Sequence, residues 1–257
     1  MTEWNPAGYL QFGDERGRPF IDLTARIVAA APRRVADLGC GPGNLTALLA
    51  ARWPDAEIEG VDASPAMIAR AQEHATDRLD FAVGDLRAWR PAEPPDVIIS
   101  NATLQWVPNH RDVLPQLLDY LTPGGWLAFQ VPGNFDQPSH RLLHELADQP
   151  RYAAWTRDVE RPAAYGPEVY LADLAALGCQ VQAWETTYLH VLDGPDPVFR
   201  WISATGARPV LGALPEGVRQ EFEAKYKRLL IQAYPPQPYG TVLPFRRVFA
   251  VARTDIA

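Results

Sequence analysis

Residues 35–43, Val-Ala-Asp-Leu-Gly-Cys-Gly-Pro-Gly, set an acid and alternating glycines directly after a short apolar run. Glycine at such a place lets the chain turn tightly and lets a ligand approach the main chain. Further on, Ile58-Glu-Gly-Val-Asp62 is a second apolar run that ends in an acid. An Asp at the tip of a second strand can accept hydrogen bonds from the two hydroxyls of a ribose. A tight strand-to-helix turn without a ligand is the alternative. The pair of motifs favours an adenosine-like ligand at the carboxyl edge of a parallel sheet.

The glycine spacing separates ligand classes. A dinucleotide fingerprint has its third glycine at the sixth position of the motif, where the helix opens under the pyrophosphate. Here that position is Asn44, and Asp37 lies two residues before Gly39. A carboxylate aimed into the turn repels a pyrophosphate and suits an ammonium group. The acid, the alternating glycines and the ribose acid together resemble motif I of class I S-adenosylmethionine (SAM) methyltransferases. In that resemblance Asp85, after the third strand, accepts from the adenine amino group; an Asx turn is its ordinary alternative. Met67 is placed to cover the adenine or to pack in the core. Asn101, Gln105, Trp106 and His110 follow the fourth strand and are expected near the methyl donor. The Asn/Asp-Pro-Pro-aromatic motif of adenine amino-methyltransferases is absent from this place.

Longer stretches narrow the resemblance. Trp4-Asn-Pro-Ala-Gly-Tyr9-Leu-Gln-Phe12 with Arg18-Pro19, Asn101-Ala-Thr-Leu-Gln-Trp-Val-Pro108, Gln130-Val-Pro-Gly-Asn134, Trp184-Glu-Thr-Thr-Tyr188, and Ala233-Tyr-Pro-Pro236 with Pro244-Phe-Arg246 are similar to the trans-aconitate methyltransferase family. The resemblance implies methyl transfer from SAM to one carboxylate of trans-aconitate, leaving a monomethyl ester and S-adenosylhomocysteine; related members act on other small acids. It implies cofactor contacts from Asp37, Gly39, Cys40, Gly41, Asn44, Asp62, Ala63, Met67, Asp85, Leu86, Asn101 and Trp106, with Tyr9 and Arg18 from the N-terminal segment.

A carboxylate is ionised at neutral pH, its reference pKa being ~4, so it attacks without a general base. No catalytic base is expected, and no base constellation stands out. The carboxylates that do not react want Arg, Tyr and amide donors: Arg208, Tyr239 and Arg246, with His110, Asn134 and Trp4 behind them. His140 and His144 share a helix face, but they lack the His-Glu-x-x-His pattern and nearby Cys ligands, so no metal is expected. There is no Gly-x-Ser-x-Gly elbow. A nicotinamide oxidoreductase is disfavoured by Asp37 and Asn44; a SAM-binding protein without chemistry stays open, as does a methyltransferase of another small molecule.

The elements that must position these residues alternate. Strands are expected at Arg34–Asp37, up to Asp62, Leu79–Val83, Asp96–Ser100 and Trp126–Val131, with helices between them, one capped by Ser64-Pro65. Short helices are expected at Pro6–Phe12 and from near Pro19, the latter burying Phe20, Leu23, Ile27 and Val28. The last strands, Gln180–Leu192 and Leu243–Arg253, flank a long connection holding a helix at Glu216–Ile231. The expected fold is α/β: a doubly wound, Rossmann-like seven-stranded sheet with a helical cap. It divides into an N-terminal helical lid (1–31), a SAM-binding core (32–133), a cap segment (134–179) and the final strands (180–257) with a substrate-cap insertion at 193–242.

The net charge is −7 and no dense basic run offsets it, which argues against a nucleic-acid partner. No apolar run reaches the ~18 residues of a membrane span, and the first residues do not read as a signal peptide. With only Cys40 and Cys179, a reducing cytoplasm is the expected compartment; a monomer is the expected state.

Overall fold

The computed structural model describes residues 13–255. Helix α1 (Gly13–Thr24) leads into strand β1 (Arg34–Leu38), and α2 (Thr46–Arg52), β2 (Glu57–Asp62), α3 (Pro65–Ala71), β3 (Leu79–Val83) and β4 (Val97–Asn101) follow. Helix α4 (Leu114–Asp119) then precedes β5 (Trp126–Pro132). The strands order as β3-β2-β1-β4-β5-β7-β6. The first five pair in parallel, and the chain reverses direction across the sheet after β3, between β1 and β4. That reversal opens a crevice at the carboxyl ends of β1 and β4, where a doubly wound sheet binds its ligand.

Beyond β5 come α5 (Pro138–Ala147), α6 (Pro150–Thr156), α7 (Pro167–Ala176) and β6 (Gln180–Leu192). Next are α8 (Pro197–Ser203), α9 (Arg208–Ala213), α10 (Glu216–Ala233) and β7 (Thr241–Arg253). Strand β7 runs antiparallel to both β5 and β6. The β6–β7 ribbon overshoots the sheet: β5 pairs with β7 only as far as Arg247, while β6 continues to Thr241. The overshoot carries the cap.

Apolar residues pack on three sides. Val35, Ile58, Val97, Ile99 and Phe249 meet Phe20 and Leu23 of α1, Leu49 of α2 and Ile68 of α3. Ala36, Leu38, Ile98, Phe129 and Val248 meet Leu114 and Leu117 of α4 and Tyr170 and Leu174 of α7. Successive strand residues thus serve opposite faces, both covered, which is why these strands read as continuous apolar runs. A third cluster joins α5, α6, α8, α9 and α10 to Leu192, Leu243 and Phe245 at the overshooting ends of the ribbon.

Two sequence expectations are corrected. Helix α1 starts before Pro19 and carries it in its interior, although proline cannot donate the intrahelical bond. Val28 is 77% exposed and only Phe20, Leu23 and Ile27 enter the core; the helix ends at Thr24, so Val28 is no longer on its face. The helix expected at Pro6–Phe12 lies outside the described residues.

Candidate active site

The glycine turn is built by packing against two neighbours. The Gly39 and Cys40 amides both donate to the Val61 carbonyl, extending the β1–β2 pairing into the turn. Gly39 has φ 86°, and a Cβ there would fall 1.9 Å from Thr103 Oγ1, so only glycine fits. Gly41 has φ 56° but faces nothing within 4 Å. Its bare backbone therefore borders open space, as close approach of a ligand requires. Asp62 faces this turn: its Oδ2 accepts from the Gly41 amide at 3.0 Å and its Oδ1 from the Ser64 amide at 2.8 Å. Burial raises its pKa, and those two amides oppose the rise. Ser64 also caps α3 through the Met67 amide, with Pro65 in the first turn.

Asp37 is buried beneath the turn and accepts from Thr46 Oγ1 at 2.7 Å. Burial pushes its carboxyl up to about 7; the Thr46 hydroxyl counteracts this, and Asp62 adds a smaller upward push. Cys40 is buried in the apolar layer, and burial first, then Asp37 and Asp62, drives its thiol upward. It is a poor nucleophile there. Asp85, after β3, is forked by Arg87, which lowers its pKa. The Arg87 amide also donates to Oδ1, so each carboxylate oxygen already accepts two bonds from Arg87, and a ligand amine would have to share or displace one of them. Met67 and Leu86 are buried, Asn44 is half-buried and Ala63 exposed.

A cleft of about 600 Å³, its open mouth included, lies between the end of β4 and the helical cap. Asn101, Ala102, Gln105 and Trp106 form its sheet side; Phe135, His140, Trp201, Thr205 and Gly206 form its cap side; Pro132, Phe245 and Arg247 close the end nearest β7. Ala102 takes the left-handed conformation at φ 54°, a costly geometry for a residue with a Cβ and one that clusters at functional sites. Buried acceptors without a partner among the described residues lie here too: Asn101 Oδ1 and Gln105 Oε1. The other end of the Gln105 amide is fixed by Nε2 donating to the Ala102 carbonyl at 2.6 Å. His140 is held neutral, burial and then His144 pushing it down to about 4.

The bare Gly41 backbone, a buried acid beneath it, a ribose-height acid and orphaned acceptors at the end of β4 fit a donor with an adenosine at one end and an amino acid at the other. The model of the family described as "Methyltransferase domain" matches residues 12–179. The chain is 54% identical to the trans-aconitate 2-methyltransferase of Streptomyces avermitilis, over 99% of this chain and 98% of that protein. It is 50% identical to that of Mycolicibacterium gilvum, over 97% of this chain and 98% of that protein.

The chain belongs to the trans-aconitate 2-methyltransferase family.

Solved structures agree on the fold. The YcgJ protein of Bacillus subtilis superposes with a TM-score of 0.60 at 14% identity, over 95% of this chain and all (100%) of that one. Phosphoethanolamine N-methyltransferase 2 of Haemonchus contortus, solved with SAM, gives 0.56 at 17% identity, over 93% of this chain and 52% of that one.

For a member of this family, the residues expected to meet substrate scatter. Arg246, expected in the pocket, is on the opposite face of β7, paired with Glu185 at 2.5 Å. Its neighbour Arg247 lines the cleft instead. Strand alternation decides this: Leu243, Phe245 and Arg247 share one face. His110, also expected there, is 1% exposed and bonded to Tyr170 at 2.8 Å beneath α7, and burial lowers its pKa. Tyr239 is 65% exposed in the turn before β7, away from the cleft. Asn134 is buried; its Oδ1 accepts from the Arg246 amide at 2.6 Å and its Nδ2 has no partner among the described residues. Arg208 opens α9 beyond the cleft-lining Thr205 and Gly206. Of the expected cofactor residues, Asn101 and Trp106 reach the cleft. Arg18 is exposed on α1, with Tyr188 in the range of its charge and that of Arg247. Trp4 and Tyr9 lie outside the described residues.

Proposed function

We propose that the chain moves the methyl group of SAM to one carboxylate of a small polycarboxylic acid, trans-aconitate or a close analogue, leaving the monomethyl ester and S-adenosylhomocysteine. The observation that carries this reading is the composition of the cleft at the end of β4: it holds a cation, amides and aromatic walls, and no acid among its described lining. Bound SAM supplies an electrophilic methyl on a positive sulfur. The chain's own part is to hold and to exclude. Gly41 offers backbone to the amino-acid end, Asp62 accepts from the ribose, and Asp85 accepts from the adenine amine. Trp106, Phe135 and Trp201 keep water from the carboxylate, which leaves it poorly solvated and free to attack. No residue need take a proton, because the acid arrives ionised; His140, neutral and walled in, is not asked to. In-line positioning supplies the rate.

Purified protein incubated with methyl-labelled SAM and a set of small acids should label a tricarboxylate once, as a base-labile ester. Calorimetry should show binding of SAM and S-adenosylhomocysteine, and none of NAD. Label found only on amines, phenols or macromolecules would overturn the substrate reading and leave the family assignment untouched.

A further inference from the structure

Asn101 ends β4 in register with Gln130 of β5, and Pro132, two residues on, pairs with Arg247 of β7. Strands lie ~4.8 Å apart and residues advance ~3.3 Å, so two strands across and two residues along set the Asn101 and Arg247 Cα atoms roughly 12 Å apart. Both side chains enter one cleft.

Arg247 is 6% exposed, which is rare for arginine without a dedicated role. Its Nη1 donates to Gln130 Oε1 at 3.4 Å, and its guanidinium lies 4.5 Å from the Phe245 ring centre. Gln130 is fully buried, and with its oxygen turned to Arg247 its Nε2 is a donor without a partner among the described residues. Gln130 is not on the cleft lining, so its part is to hold the Arg247 guanidinium from behind. The planar guanidinium of Arg247, which lines the cleft, matches a carboxylate. At the Asn101 end the orphaned atoms are acceptors, Asn101 Oδ1 and Gln105 Oε1. Acceptors repel a carboxylate and favour the positively charged methyl donor. The two ends of the cleft thus have opposite preferences.

Resting on the methyl-transfer reading above, we propose that Arg247, steadied by Gln130, selects the substrate by binding a carboxylate that is not methylated, and that its distance from Asn101 sets which acid is long enough to be esterified. Strong pairing at the reacting carboxylate would quench it. Pairing at a remote one turns binding energy into orientation. A monocarboxylate lacks the second anchor, and a diacid with a single carbon between its carboxyls cannot span the two ends.

The test compares Arg247→Lys and Gln130→Glu with the parent protein. The first keeps the charge but loses the fork. The second keeps the size and pairs the guanidinium internally. Each is measured for SAM affinity by calorimetry, and for KM and kcat on trans-aconitate, a one-carbon-bridged diacid and a monocarboxylate of similar size. Both variants should raise KM for trans-aconitate by about tenfold or more, and should cut its kcat/KM preference over the monocarboxylate by a similar factor. SAM affinity should stay within about twofold, because the lost contact is to the acid. Melting curves guard against misfolding, and either folded variant is decisive. If the parent esterifies the tricarboxylate and a folded variant keeps its preference, the Arg247 assignment is wrong and the reaction stands. If the parent esterifies no acid, the functional reading fails and the assignment falls with it.

Discussion

Asp37 shows how a single buried carboxyl couples the site to stability. Burial raises its pKa to about 7 from 3.8, so the folded state holds the proton more tightly than the unfolded chain. The sign follows: its contribution is fully present below pH 3.8 and is lost as pH rises through 7. In Asp37→Asn that loss disappears. Urea unfolding at pH 5 and pH 8 should therefore show the variant gaining on the parent by roughly 2–3 kcal/mol between the two, at 1.36 kcal/mol per pKa unit. A constant gap would mean that the carboxyl is ionised in the fold at both values. The acid was legible in the sequence from its place before the glycines; its protonation was not, because burial depends on what packs over it. Arg247 was legible in principle. Leu243, Phe245 and Phe249 alternate, and period-2 counting puts Arg247 on their face and Arg246 off it. The resemblance drew attention to Arg246 instead. His110 carried no such signal, because Tyr170, its partner, is sixty residues away in the chain.

At the scale of elements, α1 is tied to the ribbon by side chains that no local pattern reveals. Tyr188 donates to Asp22 Oδ2, Arg26 lies over the Trp184 ring, and Trp184 stacks on Phe249 with ring centres 4.7 Å apart. These contacts lay α1 over β6 and β7, and at Gly17 the helix lies close enough to Leu45, beside the glycine turn, that an added Cβ would meet it at 3.6 Å. Removing the phenol in Tyr188→Phe should cost about 1 kcal/mol of folding stability, the scale of one hydrogen bond. Hydrogen exchange should speed up at the amides of residues 17–24, and KM for SAM should rise several-fold. Unchanged exchange there would show that apolar packing by Phe20 and Leu23 alone holds the helix. The sequence placed β1 to β7 and the helix after Ser64 close to where they lie, since each has a clear period or cap. It missed the start of α1 because Pro19 reads as a first-turn residue when only propensity is consulted; the packing of Phe20 and Leu23 overrides that preference.

In the whole molecule the cap is an outgrowth of the sheet, because β6 and β7 run without a break from the sheet core into the cap cluster. Trp201 sits at the junction: it is 1% exposed, stacks on His190 with ring centres 4.5 Å apart, packs edge-on to Phe245 at 5.6 Å, and lines the cleft. If ribbon and cap are one cooperative unit, Trp201→Ala should lower stability by roughly 3–5 kcal/mol, the cost of emptying a large buried site. The loss should appear as a single transition that moves down in temperature, with far-ultraviolet circular dichroism and tryptophan fluorescence coinciding. The consequences for ligands should then diverge, because the glycine turn rests on α2, α3 and β2, three strands across the sheet from β7. Below the shifted melting point SAM should bind nearly as before, while the acid, whose cleft has lost a wall, should bind much more weakly. Two separated transitions, the first leaving SAM binding intact, would show instead that the cap opens alone, and that the ribbon carries it without sharing its cooperativity.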